Sequence, residues 1–169
     1  MSYIETDRLI IRTWMPADAP ALAAIYGDPE TMQYILSGTK TLEQTRETID
    51  RMIEAQEHDG YTIWPVVLKD SSELIGSCGL IKMPASGELE LGFAFAREAR
   101  GHGYAFEAAQ AVLAFAFEQL RARAAVAYVH PFNAASIALV NKLGMRFDRV
   151  ERVHRGQRGG DFLRYVRHG

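Results

Sequence analysis

The sequence predicts an α/β domain built around one mixed sheet, and three observations carry that expectation. Strand-like runs dominate the middle of the chain. The second half then alternates strand, helix, strand, helix and two closing strands. Between one strand and the longest helical pattern lies Arg100-Gly101-His102-Gly103-Tyr104-Ala105, a turn with two glycines. The 169 residues suffice for a substantial core and are expected to form one domain over 1–169.

Leu9 to Trp14 is rich in β-branched residues and reads as the first strand. Met15-Pro16-Ala17-Asp18 stops it, and Ala17 or Asp18 is placed to cap a helix to about Tyr26. Gly27-Asp28-Pro29 ends that helix. From Leu42 to about Glu57 apolar residues recur at helical intervals (Ile49, Met52, Ile53), and His58-Asp59-Gly60 closes the run. Strands are expected over Tyr61 to Lys69, Glu73 to Ile81 and Glu88 to Phe95. They are separated by the polar breaks Asp70-Ser71-Ser72 and Pro84 to Gly87. Pro65 cannot donate to a ladder, so it marks a bulge or an edge position. A helix over Gly103 to Leu120 precedes a strand over Ala124 to Val129. A helix over Asn133 to Leu143 ends at Gly144, and strands over Arg146 to Val153 and Phe162 to Arg167 flank a loop from Arg155 to Gly160.

Hydrophobic residues at 48% and charged residues at 24% are ordinary for a globular protein, and a net charge of −2 gives no whole-molecule attraction to nucleic acid or an anionic membrane. The Arg-rich segment from Arg146 lacks interleaved stacking aromatics, so a solvated hairpin is expected there rather than a nucleic-acid surface. Cys78 is the one cysteine; it excludes an internal disulfide and a Cys-based zinc site, and its apolar surroundings suggest a buried, inert thiol. No metal is expected. With no signal-peptide pattern and no window of ~18 apolar residues, a cytoplasmic location is expected, with no membrane partner.

The glycine turn is the feature that bears on function. Glycines let the backbone turn tightly and approach a ligand without a Cβ in the way, and the N–H groups opening the next helix favour an anion. Neither a Walker loop nor G-x-G-x-x-G is present.

Arg100-x-x-Gly103-x-Ala105 resembles the R/Q-x-x-G-x-G/A acetyl-CoA signature of the GNAT superfamily of N-acetyltransferases. Glu5-Thr6-Asp7-Arg8-Leu9-Ile10-Ile11-Arg12 resembles the T-E/D-R-L-x-L-R opening of the RimJ/RimL-like branch, continued by Trp14 to Asp18 and Asp28-Pro29-Glu30-x-Met32. Leu74-Ile75-Gly76 and Glu90-Leu91-Gly92-Phe93 resemble two of its strands, and Asn133-x-x-Ser136 with Lys142-Leu143-Gly144 resembles its last helix. The match runs from about Ile4 to about Phe147. It implies a mixed sheet of six or seven strands, flanked by about four helices. The strand holding Glu90 and the next strand would splay apart, with acetyl-CoA as co-substrate in the gap.

On that resemblance, the main chain from Gly101 to Ala105 (Gly101, His102, Gly103, Tyr104, Ala105) holds the pyrophosphate, helped by Arg100. His102 is equally readable as an exposed turn residue. A main-chain N–H within Leu91, Gly92, Phe93 and Ala94 polarises the thioester carbonyl beside a bulge; Gly92 otherwise serves packing. Glu90, on one face with Gly92 and Glu88, takes a proton or attracts the cationic acceptor, or else pairs with an arginine. His130 is a second candidate base, or a structural histidine. Many relatives donate a proton to the departing thiolate from a tyrosine seven residues after the equivalent of Asn133; here that position is Val140. Ser136 is then the candidate donor to sulfur, and Asn133 either contacts the pantetheine or caps its helix. The acceptor is a primary amine, on a protein N-terminus or a small molecule, with Trp14, Tyr34, Glu30 and Tyr61 as candidate walls. A homodimer is compatible with this reading. The alternative function is a non-catalytic acyl-CoA-binding module of the same fold, favoured by Val140.

Overall fold

In the computed structural model, residues 2–83, 86–155 and 158–169 are described. The elements run β1 (Ser2–Glu5), β2 (Leu9–Arg12), α1 (Ala19–Tyr26), α2 (Pro29–Met32), α3 (Leu42–Asp59), β3 (Ile63–Leu68), β4 (Leu74–Lys82) and β5 (Leu89–Phe95). They continue with α4 (Tyr104–Glu118), β6 (Ala124–Val129), α5 (Ala134–Lys142), β7 (Arg146–Arg155) and β8 (Arg158–His168). The strands form one mixed sheet in the order β1-β2-β3-β4-β5-β6-β8-β7. All neighbours are antiparallel except β5 and β6, whose parallel pairing needs the crossover that α4 supplies.

Eight strands replace the six or seven expected, and five helices the four. β1 is only four residues long and is held by its pairing with β2. In α2, Pro29 reads as a helix breaker but occupies the first helical position, where no N–H is needed. The Asp28 carboxylate caps the helix by accepting from the Thr31 N–H at 3.0 Å. Asp18, by contrast, does not cap α1. Its carboxylate accepts from the Met15 N–H and both terminal nitrogens of Arg12, each at 2.8 Å. Pro65 lies just beyond the β2 pairing, which stops at Val66, and next to a register shift between Val66 and Val67. The loop expected from Arg155 to Gly160 is largely strand, with Arg155 in β7 and Arg158 to Gly160 in β8; residues 156 and 157 lie outside the described set, as do 84 and 85 of the Pro84 break.

Each face of the sheet has its own core. On one face Ala108, Ala109, Val112, Leu113 and Ala116 of α4 pack on Leu91, Phe95, Ala125 and Ala127, and small residues let the helix lie close. Trp64 and Phe115 meet edge to face there, with centroids 5.4 Å apart. On the other face α1 and α3 bring Leu22, Ile25 and Ile49 against Trp14 and Ala94. Neighbouring side chains of β5 therefore serve opposite layers.

Val140 has no exposure and belongs to the α4-side core. Replacing it with tyrosine adds a ring and a hydroxyl where the core has no space for them. Val140→Tyr should lower unfolding free energy by about 1–3 kcal/mol, read from a shifted urea midpoint.

Candidate active site

β5 and β6 are paired only at Leu89↔Ala125 and Glu90↔Val126. Beyond that the strands part, while β5 remains in unbroken register with β4 from Lys82↔Leu89 to Gly76↔Phe95. The bulge expected at Gly92 is therefore absent. At its two ends this ladder is fixed by Met83 N–H donating to the Glu88 carbonyl (2.8 Å) and Ala96 N–H donating to the Ile75 carbonyl (2.9 Å). Hydrogen-bonded and non-hydrogen-bonded pairs alternate in an antiparallel ladder. Glu90, Gly92 and Ala94 thus direct their main-chain groups to β4, while Leu91 and Phe93 direct theirs into the gap. Regular alternation alone turns these main-chain groups toward the gap. A Cβ on Gly92 would stand 2.9 Å from Ile63 Cδ1, so this glycine also serves close packing.

The gap opens onto the glycine turn. Gly101 and Gly103 both have φ of 80°, which only glycine adopts readily, and a Cβ on Gly101 would meet nothing within 4 Å. Gly103 caps α4 without a side chain, and the first intrahelical bond runs from Glu107 N–H to the Gly103 carbonyl (3.1 Å). The N–H groups of Tyr104, Ala105 and Phe106 accordingly precede any intrahelical bonding, as an anion-binding helix start requires. Glu107 secures this turn to the β1–β2 connection. It accepts from the Thr6 hydroxyl (2.5 Å), the Arg8 N–H (3.0 Å) and Arg8 Nε (2.7 Å), while Arg8 Nη1 donates to the His102 carbonyl (2.9 Å). His102 itself is exposed and stacks on Tyr104, 5.5 Å between centroids.

Arg100 lines the cleft, and its guanidinium also reaches α2. Its guanidinium donates to Glu30 Oε1 (3.0 Å) and the Thr31 hydroxyl (2.8 Å), and Arg97 donates to Glu30 Oε2 (2.9 Å) and Asp28 (3.0 Å). The pair clamps α2 to the segment entering the turn, a long-range contact with no local signal in the sequence. Lys142 of α5 was not singled out as a site residue; its ammonium lies 4.3 Å from the centroid of Phe106, and both residues line the cleft.

On the far wall Asn133 caps α5, its Oδ1 accepting from the Ser136 N–H at 3.1 Å. Asn133 and Ser136 both line the cleft, and Val140 does not. The cleft has a volume of about 1130 Å³ and continues past the sheet to the side of α3. Glu90 lines it, on the strand face shared with Gly92. Glu88, two residues earlier, instead meets buried Arg164 at 2.5 Å, and Arg164 also bonds Asp148. With Arg149 paired to Asp148 and Glu151 and Arg152 to Asp161, these arginines of the closing hairpin are neutralised within it.

His130 follows β6 at the cleft wall, ringed by Tyr34 (5.0 Å), Phe162 (5.5 Å) and Phe132 (5.6 Å between centroids). Its Nδ1 accepts from the Phe132 N–H at 3.2 Å, which leaves Nε2 to carry the proton of the neutral ring. Of the four residues expected to wall the acceptor, Tyr34 and Glu30 line the cleft, Glu30 through its clamp. Trp14 and Tyr61 do not: the Trp14 indole is buried and donates to the Ile63 carbonyl at 2.6 Å, and Tyr61 packs on the α4-side core. Cys78 is fully buried, and burial pushes its thiol pKa well up. Among the described residues no group of His, Cys, Asp and Glu is arranged to hold a metal ion, and no helix is long and apolar enough to cross a membrane.

A mixed sheet whose central parallel pair splays above a glycine-capped helix start is the architecture of an acyl-CoA-dependent transferase. Residues 8–146 match the acetyltransferase (GNAT) domain family, and the chain belongs to it. It is an acyltransferase of that family, which uses acetyl-CoA as co-substrate. The uncharacterized protein YkkB of Bacillus subtilis is 33% identical over 150 residues, 87% of each chain. An acetyltransferase of the GNAT family from Bacillus anthracis superposes with a TM-score of 0.86 at 28% identity, over 98% of this chain and 97% of that one. RimL, a ribosomal L7/L12 alpha-N-protein acetyltransferase in complex with coenzyme A through a CoA–cysteine disulfide, shares the fold at a TM-score of 0.82 and 16% identity, over 96% and 95% of the two chains.

Two measurements probe the turn. Gly103→Val forces a β-branched residue to a φ of 80° at the helix start; acetyl-CoA affinity by calorimetric titration should fall at least tenfold while the fold survives. Partial burial pushes the Glu107 carboxyl up, but bonds from Thr6 and from the Arg8 main chain and guanidinium outweigh it, so its pKa lies below the ordinary 4.5. A depressed folded pKa contributes stability at neutral pH that is lost as pH falls through 4.5 toward the folded value. Glu107→Gln should lower the melting temperature at pH 7 and flatten its fall on acidification.

Proposed function

We propose that this protein transfers the acetyl group of acetyl-CoA directly to a primary amine, on a small molecule or a protein N-terminus. The observation that carries the reading is the continuity of the cleft. One opening joins the helix start at Gly103, the inward-facing main chain of Leu91 and Phe93, and the carboxylate of Glu90.

In this reading the pyrophosphate sits against the N–H groups from Gly101 to Ala105. Arg100 lines the cleft beside this turn while paired to Glu30. The thioester carbonyl accepts from a main-chain N–H of β5, Leu91 or Phe93, and such a preorganised donor can contribute ~3 kcal/mol to the transition state. The acceptor arrives as an ammonium, gives a proton to Glu90 directly or through water, and its nitrogen attacks the carbonyl carbon. Collapse of the tetrahedral intermediate breaks the C–S bond and releases the thiolate, and the remaining extra proton on nitrogen passes to water or to the departing sulfur, leaving the neutral amide. Ser136 donates a hydrogen bond to that sulfur, and Asn133 holds the end of α5 that presents Ser136. With a thiol pKa near ~8.5, the leaving group departs without full protonation, so burial of Val140 in the core removes no required acid.

Glu90→Gln should lower turnover on the order of 10²–10⁴-fold with any amine that is a substrate, while acetyl-CoA affinity stays near wild type. Thiol release across pH, alongside calorimetric titration, reads both quantities. An unchanged pH–rate profile would assign Glu90 to structure. Acetyl-CoA binding without thiol release for any amine would instead favour a non-catalytic acyl-CoA-binding module.

A further inference from the structure

Lys40 and Arg51 stand out among the cations of the cleft. Both line its α3 side, and among the described residues neither forms an ion pair, whereas Arg97 and Arg100 are paired with Asp28 and Glu30 and Lys142, on the α4 side, rests over the Phe106 ring. The Lys40 N–H donates to the Tyr26 carbonyl at 2.8 Å, which fixes the α2–α3 connection against α1. Arg51 Nε donates to the Glu47 carbonyl and Nη2 to the Thr48 hydroxyl, both at 3.2 Å, and among the described residues Nη1 has no hydrogen-bond partner. Two like charges facing one partly enclosed space destabilise each other unless an anion lies between them. Burial, and then the proximity of Arg51, lower the Lys40 pKa accordingly.

Resting on the reading of acyl transfer to an amine, we infer that the acceptor is a small primary amine carrying its own carboxylate, held by Lys40 and Arg51 while its amine faces Glu90. A planar guanidinium with a free terminal nitrogen beside an ammonium suits a carboxylate. The phosphates of the donor are met on the opposite side of the sheet, at the start of α4. The same cleft wall includes Met52, Ile63 and Gly92, apolar groups that suit an aliphatic or aromatic side chain on the acceptor.

The test uses the intact protein saturated with acetyl-CoA. Leucine, phenylalanine and methionine are each compared with their carboxamides, by calorimetric binding and by thiol release. The carboxamides carry the more readily deprotonated amine, so chemistry alone favours them. The free amino acids should nonetheless bind roughly ten- to hundredfold tighter, as expected for a charge-assisted contact. Lys40→Gln and Arg51→Gln should each bring that ratio toward one, and Lys40→Arg should restore part of it; retained acetyl-CoA affinity shows that the variants are folded. Carboxamides or N-terminal peptides that bind and react as well as the amino acids would overturn the carboxylate site and leave acyl transfer standing. So would variants that keep the full ratio. Amino acids that bind with the expected ratio, but release no thiol, would keep the anion site and overturn the transfer reading.

Discussion

The structure depends on pairing that is given up. After Glu90 and Val126 the two parallel strands separate, and the main-chain groups of Leu91 and Phe93 face open space inside the molecule. Unpaired backbone at depth is costly unless something binds it. The surrounding architecture keeps the gap from closing. α4 crosses from one strand to the other with its small residues tight against the sheet, and α5 braces the second strand through Val140 and Leu143. The antiparallel neighbours β4 and β8 hold each strand from outside in long regular ladders. Rigid outer pairing permits the inner loss.

Charge is organised in the same spirit. Carboxylates are spent on holding elements together: Glu107 ties the glycine turn to the β1–β2 connection, Glu30 joins two arginines to α2, and Glu88, Asp148 and Glu151 surround Arg164. Almost all of these contacts span distant parts of the chain. The two sides of the cleft consequently differ, with main-chain donors and Lys142 beside the start of α4, and Lys40 and Arg51 on the side of α3.

Much of this was legible in the sequence where a single local rule decides. Ala124 to Val129 has the expected strand bounds, Asn133 caps its helix, and the two glycines mark the turn before α4. Where distant residues decide, the sequence misled. Gly159 and Gly160 read as loop, yet both lie in β8 opposite His154 and Val153, because cross-strand pairing overrides their poor strand propensity. The contact of Arg100 with Glu30 and Thr31, some seventy positions earlier, also gave no local signal. Gly92 suggested a bulge, whereas alternation along an unbroken ladder presents the neighbouring main chain to the gap. Lys40 and Arg51 gave no signal at all, since only the docking of α3 on the sheet brings them to one cavity.

The buried thiol of Cys78 has a consequence for the chemistry of the product. Coenzyme A leaves the reaction as a free thiol, and in the RimL complex it is found joined to a cysteine. Here the one cysteine of the chain has no exposed surface, does not line the cleft and is held protonated by its surroundings. Mixed-disulfide capture of the spent coenzyme is thereby closed to the folded protein. Oxidising conditions should therefore leave coenzyme binding reversible, with product occupancy set by mass action alone.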